Sequence, residues 1–231
     1  MPPDATEVVL VRHGASAPVR EGEPFPTLDG HGDPELAPEG VAQAELVAAR
    51  LRNEQIDGVF VSGLARTVQT AEPFGLETTE VPELREVFLG DWEAGEFRIR
   101  IANGDPTALR VITEQSWDVI PGAETMESFA ARVRQGLDKV IEATRPGGVA
   151  VAIVHGGVIG EACRQATGSE PFAFVINDNC AITRLVRFAH GRWLLRSFND
   201  TSHLAPSSSQ GGGSAMGQAA ALVADHRHAD G

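Results

Sequence analysis

Two histidines in this chain, His13 and His155, each follow a short apolar run and precede a glycine. The runs, residues 8–11 and 149–154, have the pattern of strands that are buried on both faces. In parallel sheets, ligands bind at the carboxyl ends of the strands. Two imidazoles brought together there could supply a nucleophile and move a proton. A strand-end histidine is more often structural, however, so neither histidine alone indicates a reaction.

Arginines stand close to the same positions. Arg12 directly precedes His13, and Arg66 lies where a predicted strand gives way to a predicted helix. A guanidinium group stays charged, and its planar fork matches two oxygens of a phosphate or carboxylate group. A loop further along carries Glu86, with Glu83 and Glu93 nearby. Most arginines and loop carboxylates are solvated, so the residue types alone do not separate a binding site from surface charge.

Strands and helices alternate along the chain, and these elements must position the histidines, arginines and glutamates named above. The predicted strands are residues 8–11, 59–61, 149–154, 182–188 and 193–197, and the predicted helices are residues 38–51, 65–74, 126–144 and a segment after 157. This alternation predicts a three-layer α/β/α sandwich with a mainly parallel central sheet. We expect one domain over residues 1–204.

The composition changes after residue 204. Residues 207–214 are almost all serine and glycine, which is typical of a flexible linker. Residues 215–225 are rich in alanine and could form one short helix. We therefore expect residues 205–231 to be a linker followed by a flexible tail.

The charge and the scarce residue types exclude several functions. The chain has 19 basic and 32 acidic residues, and the basic residues form no cluster, which argues against nucleic acid and anionic membranes as partners. Lys139 is the only lysine, so a Walker-type phosphate loop is excluded. Cys163 and Cys180 lack the spacing of a zinc site and are expected to be reduced thiols.

No apolar run reaches the roughly 18 residues of a membrane span, and the N-terminus has no basic region, so we expect a cytoplasmic protein.

Four blocks in this order resemble the histidine phosphatase superfamily, also called phosphoglycerate-mutase-like. The blocks are Arg12-His13-Gly14, the Ser-x-x-x-Arg-Thr-x-Gln-Thr-Ala turn at 62–71, the Leu-x-Glu-x-x-x-Gly-x-Trp-Glu loop at 84–93, and His155-Gly156. The segment 199–204 also looks like the C-terminal end of the family's domain. The resemblance spans residues 7 to 204 approximately, so residues 1–204 would be a histidine phosphatase-like catalytic domain.

The resemblance implies a role for each matching residue. His13 would attack phosphorus as a neutral imidazole and form a phosphohistidine. Arg12 and Arg66 would hold the phosphoryl oxygens, and His155 would donate to them as charge develops. Glu86 would protonate the leaving oxygen and later take a proton from water.

Two further residues complete the implied phosphate site. Ser16 would offer a hydroxyl group, and Gly156 would belong to the phosphate-binding set. Many relatives carry an asparagine three residues after that serine, where this chain has Val19, so the rim of the pocket is less polar. The arginines would supply the positive charge, so we expect neither a metal nor a cofactor.

The expected function is hydrolysis of a small phosphorylated metabolite. Two alternatives stay open, a phosphoglycerate mutase and a catalytically silent phosphate-binding module. Mutases of the family carry a longer insertion after the Trp-Glu motif, whereas residues 96–117 are short here and the chain has no tyrosine. The tail could nevertheless cover the pocket in place of that insertion. The sequence leaves the physiological substrate and the oligomeric state open.

Overall fold

The computed structural model describes Pro2, residues 4–204 and residues 215–229, with side chains of the last segment up to Val223. Its main feature is a six-stranded sheet, accompanied by one two-stranded hairpin. The strands, in chain order, are β1 (Thr6–Arg12), β2 (Thr27–Leu28), β3 (His31–Gly32), β4 (Gly58–Val61), β5 (Thr78–Glu80), β6 (Val149–Val154), β7 (Ile182–Arg187) and β8 (Trp193–Asp200).

The sheet has the strand order β5-β4-β6-β1-β7-β8. Its first four strands are parallel to one another, whereas β7 is antiparallel to both β1 and β8. In the central pair, Arg12 of β1 lies opposite Val154 of β6. The two strands therefore end at the same level, and the residue after each one emerges at the same edge of the sheet.

Helices cover both faces of the sheet, so the predicted three-layer sandwich is confirmed. The longer helices are α1 (Pro38–Leu51), α2 (Ala65–Ala71), α3 (Glu96–Ala102), α4 (Pro106–Thr113), α5 (Met126–Glu142), α6 (Gly156–Thr167) and α7 (Ala215–Ala229). Helices α1 and α2 lie on one face, and α3 to α6 contribute to the core on the other.

The apolar run of β1 is continuous because helices cover both faces of this strand. Val8 and Leu10 pack into the core beneath α5 and α6, whereas Val9 and Val11 pack into the core beneath α1 and α2. All four side chains are fully buried. Burial of one such side chain contributes about 1.5–3 kcal/mol to folding, so layers on both faces require an apolar residue at every position.

The C-terminal segment contains more structure than the predicted short helix at 215–225. Helix α7 extends from Ala215 to Ala229 and packs against α3 and α4. Met216 and Ala219 are buried in that contact. The predicted linker, residues 207–214, lies outside the described residues. In the part of the chain that is described, no helix is long and apolar enough to span a membrane.

Candidate active site

The level ends of β1 and β6 bring His13 and His155 together. Their ring centroids are 5.2 Å apart, and both side chains are buried. A glycine is needed after His13 because the backbone approaches Gly40 closely there: a Cβ atom at position 14 would lie 2.5 Å from the carbonyl oxygen of Gly40. The prediction that the two imidazoles meet at the carboxyl edge of the sheet is confirmed.

The hydrogen bonds of His13 determine which ring nitrogen carries the proton. Nδ1 lies 2.7 Å from the carbonyl oxygen of Gly14. A carbonyl oxygen only accepts, so Nδ1 donates and Nε2 of the neutral ring keeps its lone pair. Burial lowers the pKa of His13 well below its ordinary value of 6.5, and the charges of Arg66 and Arg12 lower it further. His13 is therefore a neutral imidazole with an unprotonated Nε2 at neutral pH.

His155 is held by a chain of hydroxyl groups. Thr67 Oγ1 donates to the carbonyl oxygen of Leu64 at 2.8 Å, and Ser62 Oγ lies 3.1 Å from Thr67 Oγ1. Ser62 therefore donates to Thr67, and it accepts from Nε2 of His155 at 2.8 Å. Nδ1 of His155 is buried and has no hydrogen-bond partner among the described residues. Burial lowers the pKa of His155, and so does the charge of Arg66.

Two guanidinium groups lie at the same edge of the sheet, and each has a hydrogen-bond donor that the described residues leave unused. Arg12 donates to the carbonyl oxygen of Asn177, and Arg66 Nη1 donates to the carbonyl oxygen of Gly32 at 2.9 Å. Arg66 also lies 3.8 Å from the carboxylate of Asp33. The Nε atoms of both arginines are buried without a partner in the described chain. Unused donors on two buried cations form a site for an anion.

Glu86 reaches the start of α6 from its loop. Its Oε2 accepts from the backbone N–H of Gly157 at 3.1 Å, and its Oε1 accepts from the N–H of Val87 at 3.0 Å. A Cβ atom at position 157 would lie 2.5 Å from Oε1, so a glycine is needed for the carboxylate to fit. The loop is fixed by Arg132, which donates to the carbonyl oxygens of Glu83, Arg85 and Glu86.

Not all of the candidate residues line the cavity at this edge of the sheet. Arg12, His13, Arg66, Glu86 and Gly156 line it. His155 lies behind His13 and is fully buried. Ser16 is also absent from the wall, and its Oγ accepts instead from a guanidinium group that the motifs did not indicate.

That guanidinium belongs to Arg98, on α3. Its Nη2 donates to Ser16 Oγ at 3.0 Å, and its Cζ lies 5.4 Å from the centre of the Phe25 ring. Burial, followed by the charges of Arg66 and Arg12, lowers the pKa of Arg98 to about 10. None of the four sequence blocks contains Arg98, which lies in the short stretch 96–117. The sequence patterns did not indicate a role for Arg132 either, because it lies in an ordinary amphipathic helix.

The cavity itself has a volume of about 130 Å³. Arg12, Arg66, Arg98 and Glu86 contribute charged groups to its lining, and a set of apolar and aromatic side chains contributes most of the rest. Residues Ala215 and Met216 of α7 are part of that lining. Within the described chain, no cluster of three His, Cys, Asp or Glu side chains has the arrangement of a metal site.

The fold and these side chains define an α/β sandwich with a cluster of arginine and histidine side chains at the carboxyl ends of its central strands. A family model of the histidine phosphatase superfamily (branch 1) matches residues 8–201, and the chain belongs to this superfamily. The resemblance of the four sequence blocks is thereby confirmed.

Similar proteins include both mutases and phosphatases. Phosphoglycerate mutase-like protein 4 of Arabidopsis thaliana is 31% identical over 210 residues, which cover 87% of this chain and 88% of that protein. The crystal structure of a phosphoglycerate mutase from Bacillus anthracis has the same fold, with a TM-score of 0.71, 21% identity, and coverage of 87% and 95%. A phosphoserine phosphatase mutant from Entamoeba histolytica, in complex with phosphoserine, gives a TM-score of 0.68, 25% identity, and coverage of 87% and 100%.

Proposed function

We propose that this protein is a phosphomonoester hydrolase that acts through a phosphohistidine intermediate on a small phosphorylated metabolite. The observation that carries the proposal is the hydrogen bond from Nδ1 of His13 to the carbonyl oxygen of Gly14. This hydrogen bond leaves a lone pair on Nε2 of the neutral ring. Arg12 and Arg66 lie beside the ring, and their Nε donors have no partner among the described residues. Phosphoryl transfer requires a nucleophile next to groups that can bind the phosphoryl oxygens.

In the first half-reaction, Nε2 of His13 attacks phosphorus while the bond from phosphorus to the ester oxygen breaks. The leaving alkoxide needs a proton, and Glu86 is the acid that lines the cavity beside His13. Glu86 therefore starts this step protonated and ends it as a carboxylate. The alcohol leaves, and the phosphoryl group stays on His13.

In the second half-reaction, the carboxylate of Glu86 takes a proton from water, whose oxygen attacks phosphorus. The N–P bond breaks, the electron pair returns to His13, and inorganic phosphate leaves. The backbone N–H groups of Val87 and Gly157 hold Glu86 in place through both steps. The net reaction consumes one water and produces the alcohol and phosphate.

Arg12, Arg66 and His155 would stabilise the transferring group. The guanidinium donors of both arginines offset the charge on the equatorial oxygens. Binding of a phosphoryl dianion favours protonation of His155, whose unpartnered Nδ1 then becomes a donor. Gly156 lines the cavity beside Arg12 without a side chain to obstruct the phosphoryl group.

A phosphoglycerate mutase is the second candidate, because α7 contributes Ala215 and Met216 to the cavity wall. A mutase must keep water away until the phosphoryl group returns to its product. The two activities are separated by supplying 3-phosphoglycerate with a catalytic amount of 2,3-bisphosphoglycerate, then following 2-phosphoglycerate and free phosphate. We expect phosphate release to exceed isomerisation, and the opposite result would identify a mutase. With p-nitrophenyl phosphate, a silent binding module would release no nitrophenol.

A further inference from the structure

The positive charge in the cavity comes from three arginines that lie close together. Arg98 lines the same cavity as Arg12 and Arg66, and the charges of those two arginines act on it. None of the ion pairs among the described residues involves Arg98. Its partners among the described residues are neutral: the hydroxyl oxygen of Ser16, the carbonyl oxygen of Ala17 at 3.5 Å and the face of the Phe25 ring. Three guanidinium groups that repel one another are best neutralised by a ligand with two negative charges, such as a phosphoryl dianion.

The other titratable side chains that line the cavity, Glu93 and His31, provide no positive charge that could bind a second anionic group of the substrate. Glu93 is itself a carboxylate, and its oxygens accept from the N–H groups of Leu89 at 2.8 Å and Gly32 at 2.7 Å. Its charge would repel a substrate carboxylate. His31 lies beside it, and burial, with the charges of Arg132 and Arg85, lowers the pKa of His31 to about 4. His31 is therefore neutral at pH 7 and provides no cation.

The alcohol part of an ester would lie against the apolar part of the lining. Helix α7 completes this apolar wall with Met216, whose side chain is 7% exposed. The cavity of about 130 Å³ is small compared with the roughly 300–1,000 Å³ of pockets for drug-sized ligands, so the part of the alcohol that it encloses is small. The wall is formed by Leu89, Trp92, Phe97, Trp117, Val175 and Met216.

From this division of the cavity we propose a substrate class, which rests on the proposed function. The substrate is a phosphomonoester of a small, uncharged, apolar alcohol. Arg12, Arg66 and Arg98 hold its phosphoryl group, and the alcohol packs against the wall that Met216 completes. Arg98 is thus a further phosphate-binding residue, and the C-terminal helix determines specificity.

The test compares alkyl esters whose alcohols are comparably poor leaving groups but differ in polarity. The panel is n-butyl phosphate, glycerol 3-phosphate, phosphoserine and 3-phosphoglycerate, with inorganic phosphate as a competitive inhibitor that reports on the phosphoryl site alone. We expect kcat/KM for n-butyl phosphate to exceed that for phosphoserine by about tenfold or more, the discrimination that apolar contacts provide. A preference for phosphoserine or 3-phosphoglycerate would overturn the assignment.

Two variants separate the two parts of the cavity. Met216→Glu should lower kcat/KM for n-butyl phosphate about tenfold and leave inhibition by phosphate unchanged. The control Ala221→Glu puts the same charge at an exposed position on the same helix and should have no effect. If both variants behave alike, Met216 does not contact the substrate.

Arg98→Gln should weaken inhibition by phosphate and lower kcat/KM for every ester by about tenfold or more, as expected for loss of a hydrogen bond between charged groups. A loss confined to phosphoserine and 3-phosphoglycerate would make Arg98 a carboxylate receptor and refute the assignment. Hydrolysis of none of the esters would contradict the proposed function and, with it, this substrate class. Hydrolysis with charged esters preferred would contradict the substrate class alone.

Discussion

The rings of His13 and His155 lie 5.2 Å apart because the strands that carry them are adjacent and end level. Neighbouring strands are spaced by about 4.8 Å, so the sheet itself sets the separation. At this distance a positive charge on one ring disfavours a positive charge on the other, and His13 contributes to the lowered pKa of His155. Sheet geometry thus disfavours a charged His155 next to the proposed nucleophile.

The nucleophile is tested by His13→Ala. We expect turnover of p-nitrophenyl phosphate to fall by at least about a thousandfold, because no other group replaces Nε2. The acid-labile phosphoenzyme trapped from a labelled substrate should disappear as well. His190→Ala, which removes an exposed imidazole, is the matched control and should keep both signals. Label that persists in His13→Ala would refute the assignment.

The acid is tested by Glu86→Gln with two kinds of leaving group. A nitrophenolate leaves with little protonation, whereas an alkoxide needs the proton that Glu86 supplies. We expect the variant to lose about a hundredfold or more on an alkyl phosphate and distinctly less on p-nitrophenyl phosphate. Measurement of kcat/KM for both substrates decides the point, since equal losses would exclude Glu86 as the acid.

The placement of Glu86 is tested by Gly157→Ala. The new Cβ atom would lie 2.5 Å from Oε1 of Glu86, so the carboxylate must move. We expect this variant to show the same pattern as Glu86→Gln, a larger loss on alkyl phosphates than on p-nitrophenyl phosphate. Phosphate inhibition, which does not depend on the acid, should change little. A uniform loss on both substrates would indicate that α6 shifts as a whole.

Acid should destabilise the fold through its buried histidines. Burial, followed by the charge of neighbouring arginines, lowers the pKa values of His13 and His155 below 6.5 and that of His31 to about 4. As pH falls below 6.5, the unfolded chain takes up protons that the folded chain does not, so the free energy of unfolding decreases. For His31 the stability is fully present above pH 6.5 and is lost progressively towards pH 4.

Thermal unfolding between pH 7.5 and pH 4.5 measures this effect. In His31→Gln the Tm should fall less steeply with decreasing pH than in the parent protein, because one buried histidine no longer titrates on unfolding. If the two slopes are equal, His31 does not contribute.

Local patterns explain why much of this fold could be predicted. The apolar runs before His13 and His155 have the pattern of strands covered on both faces, and their alternation with helices predicts the layers. Because parallel strands of such a sheet expose their carboxyl ends at one edge, the meeting of the two imidazoles followed from the same patterns. The antiparallel direction of β7 did not follow, since it depends on how the chain returns to the edge of the sheet.

The amino-acid sequence was enough to predict the superfamily, the layers of the sandwich and the five residues of the proposed phosphoryl-transfer chemistry. Only the tertiary structure placed Arg98 beside Ser16, 82 positions earlier in the chain, and Met216 in the cavity wall. The physical reason is the range of the interactions. Strand and helix patterns record how each segment buries its own apolar face, whereas a contact between distant side chains depends on how α3 and α7 pack, and no local periodicity encodes that packing.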